Sequence, residues 1–294
     1  MSVKVIRGLR PADALNLIFL FSLSTVSVVF HRKLNGPAGL VALYSALVLT
    51  QVVLIRLRNG NGLLRWLYDL IFPTICILIV FDSLGRLVHY LNPRDIDPLL
   101  IRLDYAIFGC YPTVMAEKFM TPFLTDVLQL AYSSYYFLPI SLGAYLKIKG
   151  EGAAFDHSLF LIMLCFYLSY IGYLLAPALG PRYTMSHLQG ADLEGYFIAG
   201  PIQDLLNGLE GIKRDAFPSG HTGIALTVLY LSRLHAKGLY RVFLPCVIAL
   251  IISTVYCRYH YVVDVIGGML LALITVFLGE VYYGRRTERI DTDR

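Results

Sequence analysis

Charge is scarce in this chain. Asp, Glu, Lys and Arg make up 15% of its 294 residues, where a soluble domain carries about 25%. No repeat, no low-complexity tract and no stretch resembling a separate soluble domain occurs along it. The five cysteines (Cys76, Cys110, Cys165, Cys246 and Cys257) have neither paired nor metal-like spacing. They give no sign of a disulfide framework or a zinc module and do not indicate a redox compartment. Alternating apolar and polar residues of the barrel type are also missing. Hydrophobicity takes their place: 57% of the residues are apolar and mean hydropathy is +0.64. Several apolar runs approach the ~20 residues that cross a bilayer as helix.

Backbone groups cannot stay unpaired in lipid, so the runs are read as helices. The expectation is an all-α, polytopic membrane bundle of about eight transmembrane helices, over roughly 12–30, 38–55, 64–81, 122–146, 157–176, 217–236, 240–257 and 260–283. The first run follows Lys4, Arg7 and Arg10 like a signal peptide. "VFHRKL" follows it in place of a small-residue cleavage site, so it is read as a retained helix. With both termini in the cytoplasm, fifteen of the 25 Lys and Arg residues fall on that side, a bias in the direction of the positive-inside rule. The same rule accounts for the net charge of +5, so no nucleic-acid partner is implied. Residues 1–60 form an N-terminal helical part, 61–284 the main membrane domain, and 285–294 a basic cytoplasmic tail. Two stretches do not read as spans. Residues 82–121 mix apolar and charged residues on a helical period, as a segment lying along the membrane surface does. Residues 177–216 form the longest polar loop, a length more often functional than idle.

That loop leads into "RDAFPSGHTG", residues 214–223. Pro218 suits the first turn of a helix, Ser219 offers a hydroxyl donor, and Gly220 lets an anion approach the backbone. Free N–H groups of the first turn then face that anion, with His221 beside it to move a proton. About forty residues on, "CRYHYVVDVIGG" places Asp264 four residues after His260; in a helix both side chains share one face. A carboxylate beside an imidazole holds one tautomer and stabilises the protonated ring. Arg182, Lys213, Arg214 and Arg258 fall on the same expected side, and cations in that number beside two histidines describe a phosphate pocket. Plain helix punctuation at Pro-Ser-Gly and a packing-only hydrogen bond between His260 and Asp264 are the bland readings of these residues. The other five histidines lie near helix ends or in loops.

"PSGH" followed by "HYVVD", each at the edge of a membrane helix, resembles the type 2 phosphatidic acid phosphatase superfamily, which also includes the vanadium haloperoxidases. Its signature is Lys-x6-Arg-Pro, then Pro-Ser-Gly-His, then Ser-Arg-x5-His-x3-Asp. The second motif is complete at Pro218, Ser219, Gly220 and His221, and the His-x3-Asp of the third at His260 and Asp264. Leu175 stands where the first motif has Lys, and Arg182 has no Pro after it. The Ser-Arg of the third falls on Ser253 and Thr254, so a phosphate-binding Arg is replaced. The loosened first and third motifs are similar to the inositol phosphorylceramide synthase and sphingomyelin synthase side of the superfamily, and "LDYAIFGCYPT" with "TPFLTDVLQLAYSSYYFLP" extends the resemblance to the inositol phosphorylceramide synthase-like branch over residues 103–139.

The resemblance implies a six-helix core towards the C-terminus and metal-independent, cofactor-free phosphoryl or phosphodiester transfer. His260 would be the nucleophile, Asp264 its partner and His221 the general acid and base. Arg182, Ser219, Gly220 and Arg258, with Lys213 and Arg214 as further candidates, would hold the phosphate oxygens. The partner is a membrane lipid: a phospholipid, lipid phosphate or prenyl pyrophosphate. Hydrolysis and headgroup transfer to a ceramide-like alcohol both fit, with the site on the non-cytoplasmic face. Two readings from other classes are a haem-binding membrane protein, through histidines on facing helices, and a transporter, through a buried Asp264 and broken helices. No residue pattern speaks to the oligomeric state.

Overall fold

The computed structural model describes residues 9–57, 62–203 and 212–292, with side chains described as far as Arg285. Among the sequence's topology charges, Lys4, Arg7, Arg58 and Arg294, and the side chains of Arg286 and Arg289, lie outside the described residues. The elements are α1 (Pro11–Val29), α2 (Pro37–Leu57), α3 (Gly62–Leu91, through a π-helical turn at Leu67–Ile71), α4 (Asp97–Phe108) and α5 (Pro112–Phe119). They continue with α6 (Pro122–Ser133), α7 (Phe137–Ile148), α8 (Gly152–Leu175), α9 (Gly220–His235), α10 (Lys237–Tyr256) and α11 (Val262–Thr292). No strand occurs among the described residues.

Six of these, α1, α2, α3, α8, α10 and α11, are long and apolar enough to cross a membrane. The other two expected spans come out shorter, for local chemical reasons. Over 122–146, α6 and α7 are separated by a 3-10 turn at Ser134–Tyr136. There the Ser133 hydroxyl donates to the Gln129 carbonyl at 3.0 Å and Ser134 to that of Ala131 at 2.6 Å, competing with the helical ladder. Pro139 lacks the N–H that would continue it. α9 begins only at Gly220 because Ser219 is the N-cap, its Oγ accepting from the Thr222 N–H at 3.3 Å. Pro218 therefore precedes the helix instead of lying in its first turn. In the 82–121 stretch, the first ten residues complete α3. α4 and α5 follow, bent by 64° and together apolar enough to form a broken span. The bend starts at Gly109, whose φ of 68° lies in the left-handed region open to glycine. At the other end, α11 runs through residue 284 to Thr292 without a break.

α8 is apolar all round and central, packing against α1, α3, α7, α9 and α11. α9 in turn packs on α10 and α11, and α6 on α10. The α9–α11 crossing is made close by glycine. A Cβ on Gly268 would meet the Ser219 carbonyl oxygen at 2.5 Å and Thr222 Cβ at 2.8 Å, and one on Gly223 would meet Leu271 at 2.8 Å. Two helix starts thus lie backbone against backbone, which brings residues 217–223 beside residues 260–268. The outer faces of the long helices carry exposed Phe21, Leu49, Ile252 and Phe277, a surface suited to lipid and not to water.

Candidate active site

α10 ends in a reversal. The Arg258 N–H donates to Val255 O at 3.0 Å, and the N–H groups of Tyr259 and His260 both reach Thr254 O, at 3.0 and 2.9 Å. Arg258 has φ 63°, a left-handed conformation that a helix C-terminus usually assigns to glycine. Its guanidinium is already engaged: Nη2 donates to Glu117 Oε1 at 2.7 Å and to the Ala191 carbonyl at 2.5 Å. Its Nε is buried without a partner. The Arg258 carbonyl accepts the Arg182 N–H at 3.0 Å, so the loop before α9 and the turn before α11 are stitched together.

His260 emerges from this reversal, not from a helix. Its Nδ1 lies 2.8 Å from the Ala216 carbonyl oxygen and 3.6 Å from Asp264 Oδ2. A carbonyl cannot donate, so Nδ1 carries the proton and Nε2 keeps a free lone pair. Asp264 reaches the ring from the first turn of α11, where Oδ2 also accepts the Tyr261 N–H at 2.9 Å, and Oδ1 is buried without a partner. The pair expected on one helical face is thus made by a helix cap facing a turn. Facing it, the His221 ring lies 5.7 Å from that of His260, centroid to centroid. Tyr132 stacks on His221 at 4.3 Å, and Tyr135 packs on it tilted by 37° at 4.1 Å. His221 Nε2 is buried with no partner. Two imidazoles therefore meet, each with a nitrogen open to new chemistry.

The remaining candidates divide. Arg182 lies between two tyrosines, its guanidinium carbon 5.1 Å from the Tyr259 ring centroid and 4.7 Å from that of Tyr183, whose hydroxyl accepts its Nη2 at 2.7 Å; the Lys213 ammonium is 5.7 Å from the same Tyr183 ring. Tyr132 stacks on Tyr259 at 4.1 Å, so an aromatic column joins His221 to Arg182. Arg214 is committed elsewhere, to Asp95 at 3.0 Å and His89 at 2.9 Å. Burial raises the Asp95 carboxyl above its ordinary range and nearby Asp97 adds to this, while Arg214 opposes it. The Ser219 hydroxyl donates to Thr222 Oγ1 at 3.1 Å, so its one hydrogen is spent inside the cap. The space a Cβ on Gly220 would take is filled by the Tyr173 hydroxyl, so the missing side chain lets α8 and α9 pack closely here.

Sequence reasoning passed over the acids that build the site. Asp97 accepts the N–H groups of Leu179 and Gly180 and the Tyr261 hydroxyl, each at 2.9 Å. Asp104 caps α11 from α4, accepting from Val262 at 3.0 Å and Val263 at 2.9 Å. Asp126 accepts four consecutive N–H groups, Tyr196 to Ala199, at 2.7–3.1 Å. All three are buried, and acidic residues within apolar stretches were the available signal. Among the described residues no group of three or more His, Cys, Asp or Glu side chains is disposed to hold a metal ion.

A crevice of about 350 Å³ opens from His221 and Asp215 and runs down between α3, α7 and α8. Its walls are mostly aliphatic and aromatic side chains, among them Ile77, Phe81, Ile140, Ile162 and Phe166.

The PAP2 superfamily profile matches residues 99–278, more than half of the chain and a stretch that includes both histidine motifs. A PA-phosphatase related-family protein of Dictyostelium discoideum is 26% identical over 201 residues, covering 60% of this chain and 36% of the relative. The chain thus spans about a third of that relative's length. No solved structure matches it. A profile match of this extent, on a chain with six helices fit to cross a membrane, shows that the protein belongs to the PAP2 superfamily, a group of phosphoesterases, as an integral membrane member.

Proposed function

We propose that the protein is a lipid phosphatase or lipid headgroup phosphotransferase working through a phosphohistidine at His260. The observation that carries this reading is the meeting of two imidazoles at the head of an apolar crevice: His260 with Nε2 free, His221 with Nε2 unpartnered. A phosphate ester of a lipid needs this combination, a reacting centre at the polar end and an apolar place for its chain.

In the first step the His260 Nε2 lone pair attacks phosphorus in line. A P–N bond forms, the ester P–O bond breaks, and His221 gives its proton to the departing alkoxide. The proton on Nδ1 stays between the Ala216 carbonyl and Asp264, whose charge offsets that of the imidazolium. In the second step His221 takes a proton from water or an alcohol, whose oxygen attacks phosphorus and breaks the P–N bond. Arg182, Lys213 and Arg258, the last through its unpartnered Nε, are the candidate cations for the non-bridging oxygens.

The similarity of residues 103–139 to the inositol phosphorylceramide synthase-like branch favours an alcohol as the second acceptor in place of water. The two outcomes separate in one assay. Solubilised protein is given phosphatidate, prenyl pyrophosphate, and phosphatidylinositol with ceramide, all with chelator present, and both released phosphate and new lipid product are measured. His260→Ala and His221→Ala are each expected to lower turnover by about a hundredfold or more. Variants as active as the wild type on every substrate turned over would sink the assignment.

A further inference from the structure

The crevice below His221 has a floor, and the floor is ionic. Its lining runs along α8 from Tyr173 down to Phe155, roughly 27 Å of helix at 1.5 Å per residue, against a hydrocarbon core of about 30 Å. At the foot stand Phe155 and Asp69, and both also line a second, polar cavity of about 240 Å³ that holds Arg10, Arg65, Lys147 and Asp156. Asp69 is 3% exposed and lies in the π-helical turn of α3, a distortion frequent at functional positions. It accepts Arg10 Nη1 at 2.7 Å and pairs with the Lys147 ammonium. Lys147 in turn lies 5.2 Å from the Phe155 ring centroid. A hydrocarbon end pushed past this point would separate buried charges from their partners, which is strongly unfavourable.

Just above the floor, α7 presents Gly143 to the crevice. A Cβ there would meet Leu70 Cδ2 at 3.0 Å and Phe155 Cε2 at 3.5 Å. The missing side chain is what keeps the foot of the crevice passable. We infer that Gly143 and Phe155, backed by the Asp69–Lys147–Arg10 cluster, set the length of the single lipid tail the enzyme accepts. This rests on the proposed lipid-phosphate chemistry and adds to it a specificity element nearly a full hydrocarbon core away from the histidines.

The test is a homologous series of n-alkyl monophosphates, hexyl to octadecyl, turned over by wild type, Gly143→Leu, Gly143→Ala and Phe155→Ala. Gly143→Leu is expected to keep its rate on the shortest members and to lose about tenfold or more on the longest; Gly143→Ala shifts the profile less, and Phe155→Ala moves the optimum to longer chains. Retained short-chain activity doubles as the folding control. Profiles merely scaled down in parallel at every length, in both glycine variants, would overturn the inference. A second measurement does not depend on turnover: wild-type protein is photolysed with an alkyl phosphate bearing a terminal diazirine, and the label is located by mass spectrometry. Label near Gly143 and Phe155 supports the floor; label confined to the lipid-facing sides of α1 and α2 overturns it. A wild type inactive on the whole series but labelled at the floor would instead count against the phosphatase reading and leave the tail site standing.

Discussion

At the scale of single residues, the most informative atom is the Ala216 carbonyl oxygen. At 2.8 Å from His260 Nδ1 it is closer than Asp264 at 3.6 Å, so the tautomer is held by backbone and the carboxylate is left to balance charge. Asp264→Asn is therefore expected to keep the ring orientation and substrate affinity while kcat falls about a hundredfold or more. Steady-state kinetics on the substrate that the wild type turns over checks this; a rise in KM with kcat unchanged would contradict it. The sequence pointed to His221, His260 and Asp264 because an imidazole or carboxylate in an apolar run has few bland explanations. It could not read how Gly220 and Arg214 are engaged, because Tyr173 and Asp95, which meet them, are far along the chain; the Ser219 hydroxyl bonds Thr222, three residues on.

At the scale of elements, the site depends on two helix starts meeting. Gly223 and Gly268 allow the contact, and Asp104 on α4 caps the α11 side. Gly268→Ala would drive a methyl against the Ser219 carbonyl, and overpacking of that kind costs about 1–3 kcal/mol. The expected result is a lower thermal midpoint in detergent together with a loss of turnover larger than the loss of folded protein, since His221 and His260 move apart. Activity and melting measured on the same preparation check it; a variant with wild-type turnover per folded molecule would contradict it. Helix positions were legible from apolar runs, which report burial in lipid regardless of partner. The 3-10 break at Ser134–Tyr136 and the late start of α9 were not, since both turn on hydrogen bonds a hydropathy window does not see.

At the scale of the whole molecule, α8 carries one polar centre near each end: Tyr173 packs by Gly220 at one, and Asp156 reaches Arg10 at 3.3 Å at the other. We propose, from the charge bias of the loops, that the Arg10 end faces the cytoplasm and the histidines the opposite side. In a background with the native cysteines replaced, Phe197→Cys, at a site 86% exposed, is expected to react with a membrane-impermeant maleimide added outside intact cells. Lys237→Cys is expected to react only after permeabilisation. The reverse pattern would invert the orientation.

Composition and motif order alone determined that this is a helical membrane protein and which superfamily it resembles, because lipid forces backbone groups into helices and makes buried titratable groups costly to keep without use. Which partners each cation engages, which acids brace the loops, and where the apolar crevice begins and ends were decided only by tertiary structure. Those properties belong to pairs of residues up to 164 positions apart, as Asp97 and Tyr261 are, and no local pattern in the chain encodes a distance between them.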